Sequence, residues 1–287
     1  MIFDFKTQSI DKYKKTYIKN HLLKKYFHLK KKILIMGLPG SGKTYLAKRF
    51  SKIVNAEWLN ADRVRGKYSD WDFSEQGIIR QVKRMKKLAQ LSKKKIVVAD
   101  FVCPLKTQID IFKPSIIVWM DTIKKGRFKS MNKLFKPPKR YHLRITEKNI
   151  KINLIKLADK LKPYRWGNKK PTVQMLGRWQ PWHEGHRKLF EKSIIMTGQV
   201  NILVRDVHGV NDNPYTYNQV KRNINQDLVD FKSRFKISKV PNITNIIYGR
   251  TVGYKIRKIN LGKKIEKISA TQIRKKLRKQ NLLKKIN

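Results

Sequence analysis

The sequence predicts an α/β protein with two parallel-sheet domains, the second smaller than the first. Three observations carry this expectation. Apolar runs of strand length alternate with segments of helical period along most of the chain. Two of these runs pass through a glycine-containing turn directly into a helix, at "LIMGLPGSGKTYLAKRF" (34–50) and "MLGRWQPWHEGHRKLF" (175–190). The alternation breaks once, in the Pro/Gly/Lys-rich "PYRWGNKKP" (163–171), and then restarts. Domains are therefore expected over 31–162 and 172–287, joined by a linker at 163–171 and preceded by a basic helical extension over 1–30.

Taken in order, "KKILIMG" (31–37) reads as a buried parallel strand and "KTYLAKRFSKIV" (43–54) as a helix. "EWLNADRVR" (57–65) reads as a short strand with a polar end, and "SEQGIIRQVKRMKKLAQLS" (74–92) as a long helix with Ser74 as its N-cap. Two further apolar runs, "KIVVAD" (95–100) and "SIIVWMD" (115–121), each end in an aspartate; "EKNIKINLIKLADKLK" (147–162) is helical. Beyond the linker the expected order is strand 172–177, helix 184–197, strand 200–205, helix 217–234, strand 244–249 and helix 270–280. Short strands alternating with helices imply right-handed crossovers and parallel sheets.

At 287 residues, 40% apolar and 10% aromatic, the chain has material for two cores. Its one cysteine, Cys103, forms no internal disulfide, and the early Asp4 interrupts any signal-peptide pattern. No apolar stretch approaches the roughly 18 residues of a membrane span. A reducing, cytoplasmic setting is expected. The charge is the outlier: 69 Lys+Arg against 19 Asp+Glu give +50. Such a balance attracts polyanions, but the lysines are spread along the chain and no base-reading motif is present, so nucleic acid is expected to bind non-specifically if at all. The basic ends, 12–32 and 273–287, read as solvated amphipathic helices. Oligomeric state is left open.

Gly37, Gly40, Gly42, Lys43 and Thr44 satisfy G-x-x-x-x-G-K-[ST], with Ser41 inside the loop, a strand before it and a helix after it. The glycines let backbone N–H groups wrap phosphates, the helix N-terminus adds a favourable dipole, Lys43 reaches the β/γ oxygens and Thr44 ligates Mg²⁺. ATP and Mg²⁺ are the implied cofactors and the sheet is of P-loop NTPase type. Asp100, ending a hydrophobic strand, reads either as a magnesium-organising carboxylate or as a cap on the following turn.

Residues 30–160 resemble adenylylsulfate kinases. The resemblance rests on "LNADRVR" (59–65), "DFSEQGIIRQVKR" (72–84), "ADFVCP" (99–104) and "LFKPPK" (134–139), which follow the loop in that family's order and spacing. It implies that Asp62 contacts the acceptor hydroxyl or the metal shell, that Arg65 meets the acceptor's anionic end, and that Phe73 and Phe101 sandwich its adenine. The chain departs from the family on the long helix, where Gly77, Ile78 and Gln81 replace an Asp-Arg pair and an Asn, leaving Arg84. In the shortened lid, Arg127 and Lys133 are the implied phosphate-facing cations.

"GRWQPWHEGH" (177–186) resembles H-x-G-H nucleotidyltransferases, nearest to nicotinamide-mononucleotide adenylyltransferases, and implies a Rossmann-like domain that uses ATP or CTP. His183 and His186 would face the phosphates, with Gly177 and Arg178 opening the turn and Gly185 keeping space for the nucleotide. "ISATQIRKKL" (268–277) matches the family's I-S-x-T-x-I-R, implying Ser269, Thr271 and Arg274 as triphosphate contacts. "DNPYTYNQVKR" (212–222) resembles its N-P-[FY]-T segment, with Arg222 as a further phosphate residue. Trp182 reads as a cover for the turn; Trp179 is either a cover or a base-stacking ring. The partners implied are small phosphorylated substrates. Kinase followed by an H-x-G-H domain also resembles phosphoadenylylsulfate synthetases, though Arg178, Trp179 and Gln180 depart from the sulfurylase pattern. A basic nucleic-acid-binding protein on degenerate nucleotide folds is the reading from another class.

Overall fold

The computed structural model describes residues 30–247, 249, 250, 253 and 255–283. Residues 1–29 of the expected N-terminal extension and residues 284–287 of the expected basic C-terminal segment therefore lie outside the described residues; of the helix expected over 273–287, the described part ends at Lys279. The chain divides into two compact units after Pro163.

In the first unit the elements are β1 (Lys31–Met36), α1 (Lys43–Ile53), β2 (Glu57–Asn60), α2 (Ala61–Lys67), α3 (Glu75–Leu91), β3 (Ile96–Asp100), α4 (Lys106–Phe112), β4 (Ile116–Met120), α5 (Lys129–Leu134), β5 (Leu143–Ile145) and α6 (Ile150–Leu161). Five strands pair in parallel in the order β2-β3-β1-β4-β5. Parallel strands covered on both faces are predominantly apolar, and β3 is buried at every residue, its terminal Asp100 included. On one face Leu46, Ala47 and Phe50 of α1 pack with Leu157 and Leu161 of α6 over Ile33, Ile35 and Val118. On the other, Val82, Met85 and Ala89 of α3 pack with Phe112 over Leu34 and Val97. Each large side chain so buried contributes roughly 1.5–3 kcal/mol. The connection leaving β1 runs to β2 on one side of it, and the connection leaving β3 crosses to β4 on the other, so the strand order reverses beside the C-terminal end of β1, the position where open α/β sheets hold ligands.

The second unit contains β6 (Val173–Gly177), α7 (Glu184–Thr197), β7 (Val200–Arg205), α8 (Tyr217–Asp227), a 3₁₀ turn (Val229–Phe231), β8 (Phe235–Val240), α9 (Lys263–Glu266) and α10 (Ala270–Lys279). Its three strands are parallel, in the order β6-β7-β8. Tyr164 and Gly167 of the expected linker (163–171), with Thr172 just after it, are held to this unit by the buried Gln199. Its amide accepts from the Tyr164 hydroxyl (3.1 Å) and Gly167 N (3.2 Å), and donates to Gly167 O (2.8 Å) and Thr172 Oγ1 (2.6 Å). No helix among the described residues is long and apolar enough to cross a membrane.

Several expectations need correction. The strand expected over 57–65 ends at Asn60, whose side-chain oxygen accepts from Arg63 N (3.0 Å) and so starts α2. The helix expected over 217–234 ends at Asp227, because the apolar period continues through a tighter turn that buries Leu228 and Phe231 completely. The third strand of the second sheet is 235–240, not 244–249; Ile246 and Ile247 are 56% and 92% exposed. Elements α4, α5, β5 and α9 have no counterpart in the sequence expectation.

Ser74 caps α3 through Gly77 N (3.2 Å). A Cβ at Gly77 would overlap the carboxyl and carbonyl of Asp72. Alanine normally favours a helix interior over glycine by about 1 kcal/mol. We therefore expect Gly77→Ala to lower the urea midpoint, because overlap with a tethered loop exceeds that gain, whereas Gly66→Ala, whose nearest neighbour is Trp71 at 3.8 Å, should leave it unchanged or raise it.

Candidate functional site

The turn after β1 adopts a conformation that side chains disfavour. Gly37, Gly40 and Gly42 have φ of +142°, +90° and +94°, and a Cβ at Gly37 would overlap the Met120 carbonyl. Gly42 caps α1 without a side-chain hydrogen bond, and the first turn holds no acidic residue, so its N–H groups face outward uncapped. Lys43 folds over the loop, donating to Leu38 O (2.9 Å), and is 8% exposed. Burial pushes its ammonium down to about pKa 8, against the opposing charges of Asp100 and Asp62. Ser41 Oγ is buried without a hydrogen-bond partner.

Asp100 receives three donors: Thr44 Oγ1 (2.7 Å) and Asn60 Nδ2 (2.9 Å) on Oδ2, and Trp58 Nε1 (2.7 Å) on Oδ1. Burial raises its pKa, and the same hydrogen bonds oppose that rise. None of its hydrogen bonds goes to the following turn, so it caps nothing there. The structure thus brings Lys43, Thr44 and Asp100 together at one loop. Among the described residues no cluster of three or more His, Cys, Asp or Glu could hold a metal by protein ligands alone.

Asp62 is exposed in the first turn of α2, and its charge bears on both Lys43 and Arg65. Arg65 is 5% exposed and donates to the carbonyls of Asp70 (3.0 Å) and Asp72 (2.8 Å), with its guanidinium 4.6 Å from the Phe73 ring centre. Asp70 accepts from Arg80 (2.8 Å) and Arg84 (2.6 Å), and Arg80 also reaches Asp72 (3.0 Å). Those guanidinium hydrogen bonds hold the Asp70 carboxyl far below the usual range. The two rings expected to form a sandwich are placed differently: Phe73 is 53% exposed, while Phe101 is buried, edge-on to Phe112 at 5.7 Å. Arg127 and Lys133 are exposed around α5, and Asn132 closes the turn before it by pairing with Gly126 N and O. Sequence reasoning missed Trp58, Asn60, Asp70 and Arg80; the recurring acids of "DWD" (70–72) at a loop facing Arg80 and Arg84 were the available signal.

In the second unit, His183 caps α7: its Nδ1 accepts from Gly185 N (3.1 Å), and His186 Nδ1 accepts from His183 N (3.3 Å). With both Nδ1 atoms accepting, the proton of each neutral ring is on Nε2. The rings stack at 3.6 Å. Burial lowers both pKa values, His186 to about 3 with His183 as a secondary cause, so the pair stays uncharged. A Cβ at Gly185 would press on the His183 ring, and one at Gly177 would lie 2.7 Å from the Trp179 indole.

Trp179 and Trp182 are both buried, donating to Leu203 O (3.0 Å) and Asp227 Oδ2 (2.8 Å). Trp179 lies edge-on to His186 at 4.8 Å, so as placed it supports the histidine and offers no open face. Arg274 is 7% exposed and binds Gln180 O, Asp212 Oδ2 (2.8 Å) and Thr271 Oγ1 (3.2 Å), knitting α10 to the histidine turn. Ser269 begins α10 without a side-chain cap bond. Arg178 is exposed beyond β6, whereas Arg222 lines a separate groove of about 480 Å³ with Asn218, Lys221 and Asn225. His142 Nδ1 accepts from Ile117 N (3.1 Å), a sheet-edge contact.

Because the folded pKa of Lys43 lies below the ordinary 10.5, its burial costs stability below about pH 8, and that cost is relieved as pH rises toward 10.5. A phosphate at the loop would restore the charge and take up a proton. We expect the affinity of a nucleoside triphosphate for this unit to weaken by up to about tenfold per pH unit above pH 8. Calorimetry in buffers of different ionisation enthalpy should register the proton uptake, and Lys43→Met should remove it.

No family model and no curated protein matches the chain. Among solved structures it is similar to the adenylylsulfate (APS) kinase of Mycobacterium tuberculosis in complex with AMPPNP and APS, at 19% identity over 46% of this chain and 97% of that one, TM-score 0.41. It is similar also to a gluconokinase from Sinorhizobium meliloti 1021, at 11% identity over 48% of this chain and 93% of that one, TM-score 0.36. A shikimate kinase from Acinetobacter baumannii in complex with shikimate matches at 16% identity over 47% of this chain and 79% of that one, TM-score 0.28.

Proposed function

We propose that the chain is a bifunctional transferase. Its first unit moves the γ-phosphoryl group of ATP to a hydroxyl of a small acceptor, and its second moves a nucleotidyl group from ATP or CTP to a phosphorylated acceptor with release of pyrophosphate. The observation that carries the first half is the loop itself: Lys43, the Thr44–Asp100 pair and the uncapped N-terminus of α1 converge at the C-terminal end of β1. The donor set fits Mg²⁺ carried by a nucleotide, with the Thr44 hydroxyl as a ligand and Asp100 orienting the ion's water shell. When bound, the ion neutralises charge on the β and γ phosphates.

Lys43 and the loop N–H groups hold the phosphates, and the acceptor oxygen approaches the γ-phosphorus in line. Asp62 takes the acceptor's hydroxyl proton as the new O–P bond forms; the bond to the β–γ bridging oxygen breaks and ADP leaves. In the second unit, His183 and His186 donate Nε2–H to the α and β phosphates without adding charge. The free first turn of α10, with Ser269 and Thr271, receives the remainder of the triphosphate, and Arg274 holds that helix in place. The acceptor's phosphate oxygen attacks the α-phosphorus, and pyrophosphate is the leaving group.

Lys43→Ala should abolish ADP formation and leave pyrophosphate release intact. His183→Ala or His186→Ala should do the reverse, cutting turnover on the order of a hundredfold to a thousandfold. Loss of both activities from any one of these changes, in a protein still folded by circular dichroism, would refute two separate sites.

A further inference from the structure

A groove of the first unit lies away from the phosphate loop, between the second half of α1 and the start of β2. Its volume is about 320 Å³, and it is lined by Lys48, Ser51, Lys52, Asn55, Ala56 and Trp58. Small-molecule sites typically begin at roughly that size. Lys48, Ser51, Lys52 and Asn55 recur at helical spacing and so share one face. Asn55, at φ +52°, ends the helix, and Ala56 N returns to Ser51 O (2.8 Å), which turns the chain back alongside that face. Trp58 forms the wall. Alternation along β2 sends Trp58 to the core of α1 and α6, and Glu57 with Leu59 to the opposite face, where Leu59 joins the core of α3. The indole N–H donates to Asp100 Oδ1 (2.7 Å), so packing and a hydrogen bond fix the ring before any ligand arrives.

The groove is positive. Lys48 and Lys52 line it, and neither forms an ion pair among the described residues. Lys48 Nζ lies 6.0 Å and the Arg63 guanidinium 5.3 Å from the Trp58 ring centre, and Lys94 Nζ donates to Asn55 Oδ1 (2.9 Å). Arg49, the neighbour of Lys48 on α1, stacks instead on Tyr45 at 3.4 Å. No carboxylate is among the lining residues. Glu57 is turned to the other face of β2, Asp100 meets the indole at its N–H, and the charges of Asp62 and Asp100 bear on Lys43. Unpaired lysines are general in a chain of +50, so they carry weight here only because a cavity and a fixed indole stand beside them.

We propose that this groove is a second ligand site of the first unit, and that it takes a small flat ring bearing a phosphate group. The ring lies against Trp58, and the phosphate sits between the Lys48 and Lys52 ammonium groups. Asn55, its oxygen taken by Lys94, presents the donor side of its amide to ring substituents. The site is independent of the reaction proposed for the loop: Lys48 lies one helical turn beyond Thr44, and none of the lining residues belongs to the phosphate turn.

The test is a titration with phenyl phosphate, followed by nuclear magnetic resonance in protein labelled at its tryptophan indole nitrogens. The Trp58 N–H signal, identified by its absence from Trp58→Phe, should move saturably, with a Kd of roughly 1 mM or below. Phenol, which lacks the charge, and inorganic phosphate, which lacks the ring, should each bind at least about tenfold more weakly. Replacing both lysines, Lys48→Gln with Lys52→Gln, should raise the Kd by about tenfold, while the other indole signals report that the variant is folded. Lys43→Ala should leave the Kd unchanged, which separates this groove from the phosphate loop. A Trp58 signal that stays in place or drifts without saturating would overturn the proposal. So would equal affinity for phenol or inorganic phosphate, a Kd unmoved in the glutamine variant, or binding lost in Lys43→Ala.

Discussion

A single buried carboxylate organises the first unit. Asp100 ends β3, is 2% exposed, and draws donors from three directions: the hydroxyl that follows the loop lysine, an indole from β2, and the amide that ends β2. A carboxylate removed from water is costly unless its hydrogen bonds are replaced, and here each replacement ties another element to the end of the sheet. Loop, α1 and β2 are fixed relative to β3 by one group. The Lys43 ammonium, held nearby without a carboxylate of its own among the described residues, is left with a charge deficit that a phosphate would relieve.

The second unit solves a related problem with neutral groups. Its two imidazoles are placed by backbone N–H groups that they accept, so the orientation of each ring and the position of its proton come from the start of a helix. Burying charged imidazoliums so close together would be unfavourable, and the geometry avoids it. Two indoles fill the space behind them and tie their own N–H groups to a strand carbonyl and to the end of α8.

Much of this was legible in the sequence, for identifiable reasons. Strands buried on both faces leave continuous apolar runs, and β1, β3 and β4 fall within a residue or so of where those runs lie. The glycines, Lys43, Thr44 and the two histidines were readable because each set sits at a fixed motif spacing between a strand and a helix. What was hidden depends on contacts distant in sequence. In β8, "FKISKV" (235–240), lysines alternate with apolar residues at the edge of a sheet, while the more apolar "NII" (245–247) is exposed. Three-residue β5 exists only because β4 offers it a partner. The roles of Asp70 and Arg80 arise from a loop folding against a helix. The ligand roles of Arg65 and Phe101 follow from resemblance alone; in the fold one nitrogen of Arg65 donates to two backbone carbonyls, and Phe101 packs edge-on to Phe112.

Asn60 couples two elements through the two ends of one side-chain amide. Its oxygen starts α2 while its nitrogen binds Asp100. Aspartate there would keep the helix start but set two carboxylates against each other; serine would keep a cap but is too short to span both partners; alanine would lose both. The helix that carries Asp62 and the strand that carries Asp100 therefore share one amide, and any side chain put in its place loses at least one of the two.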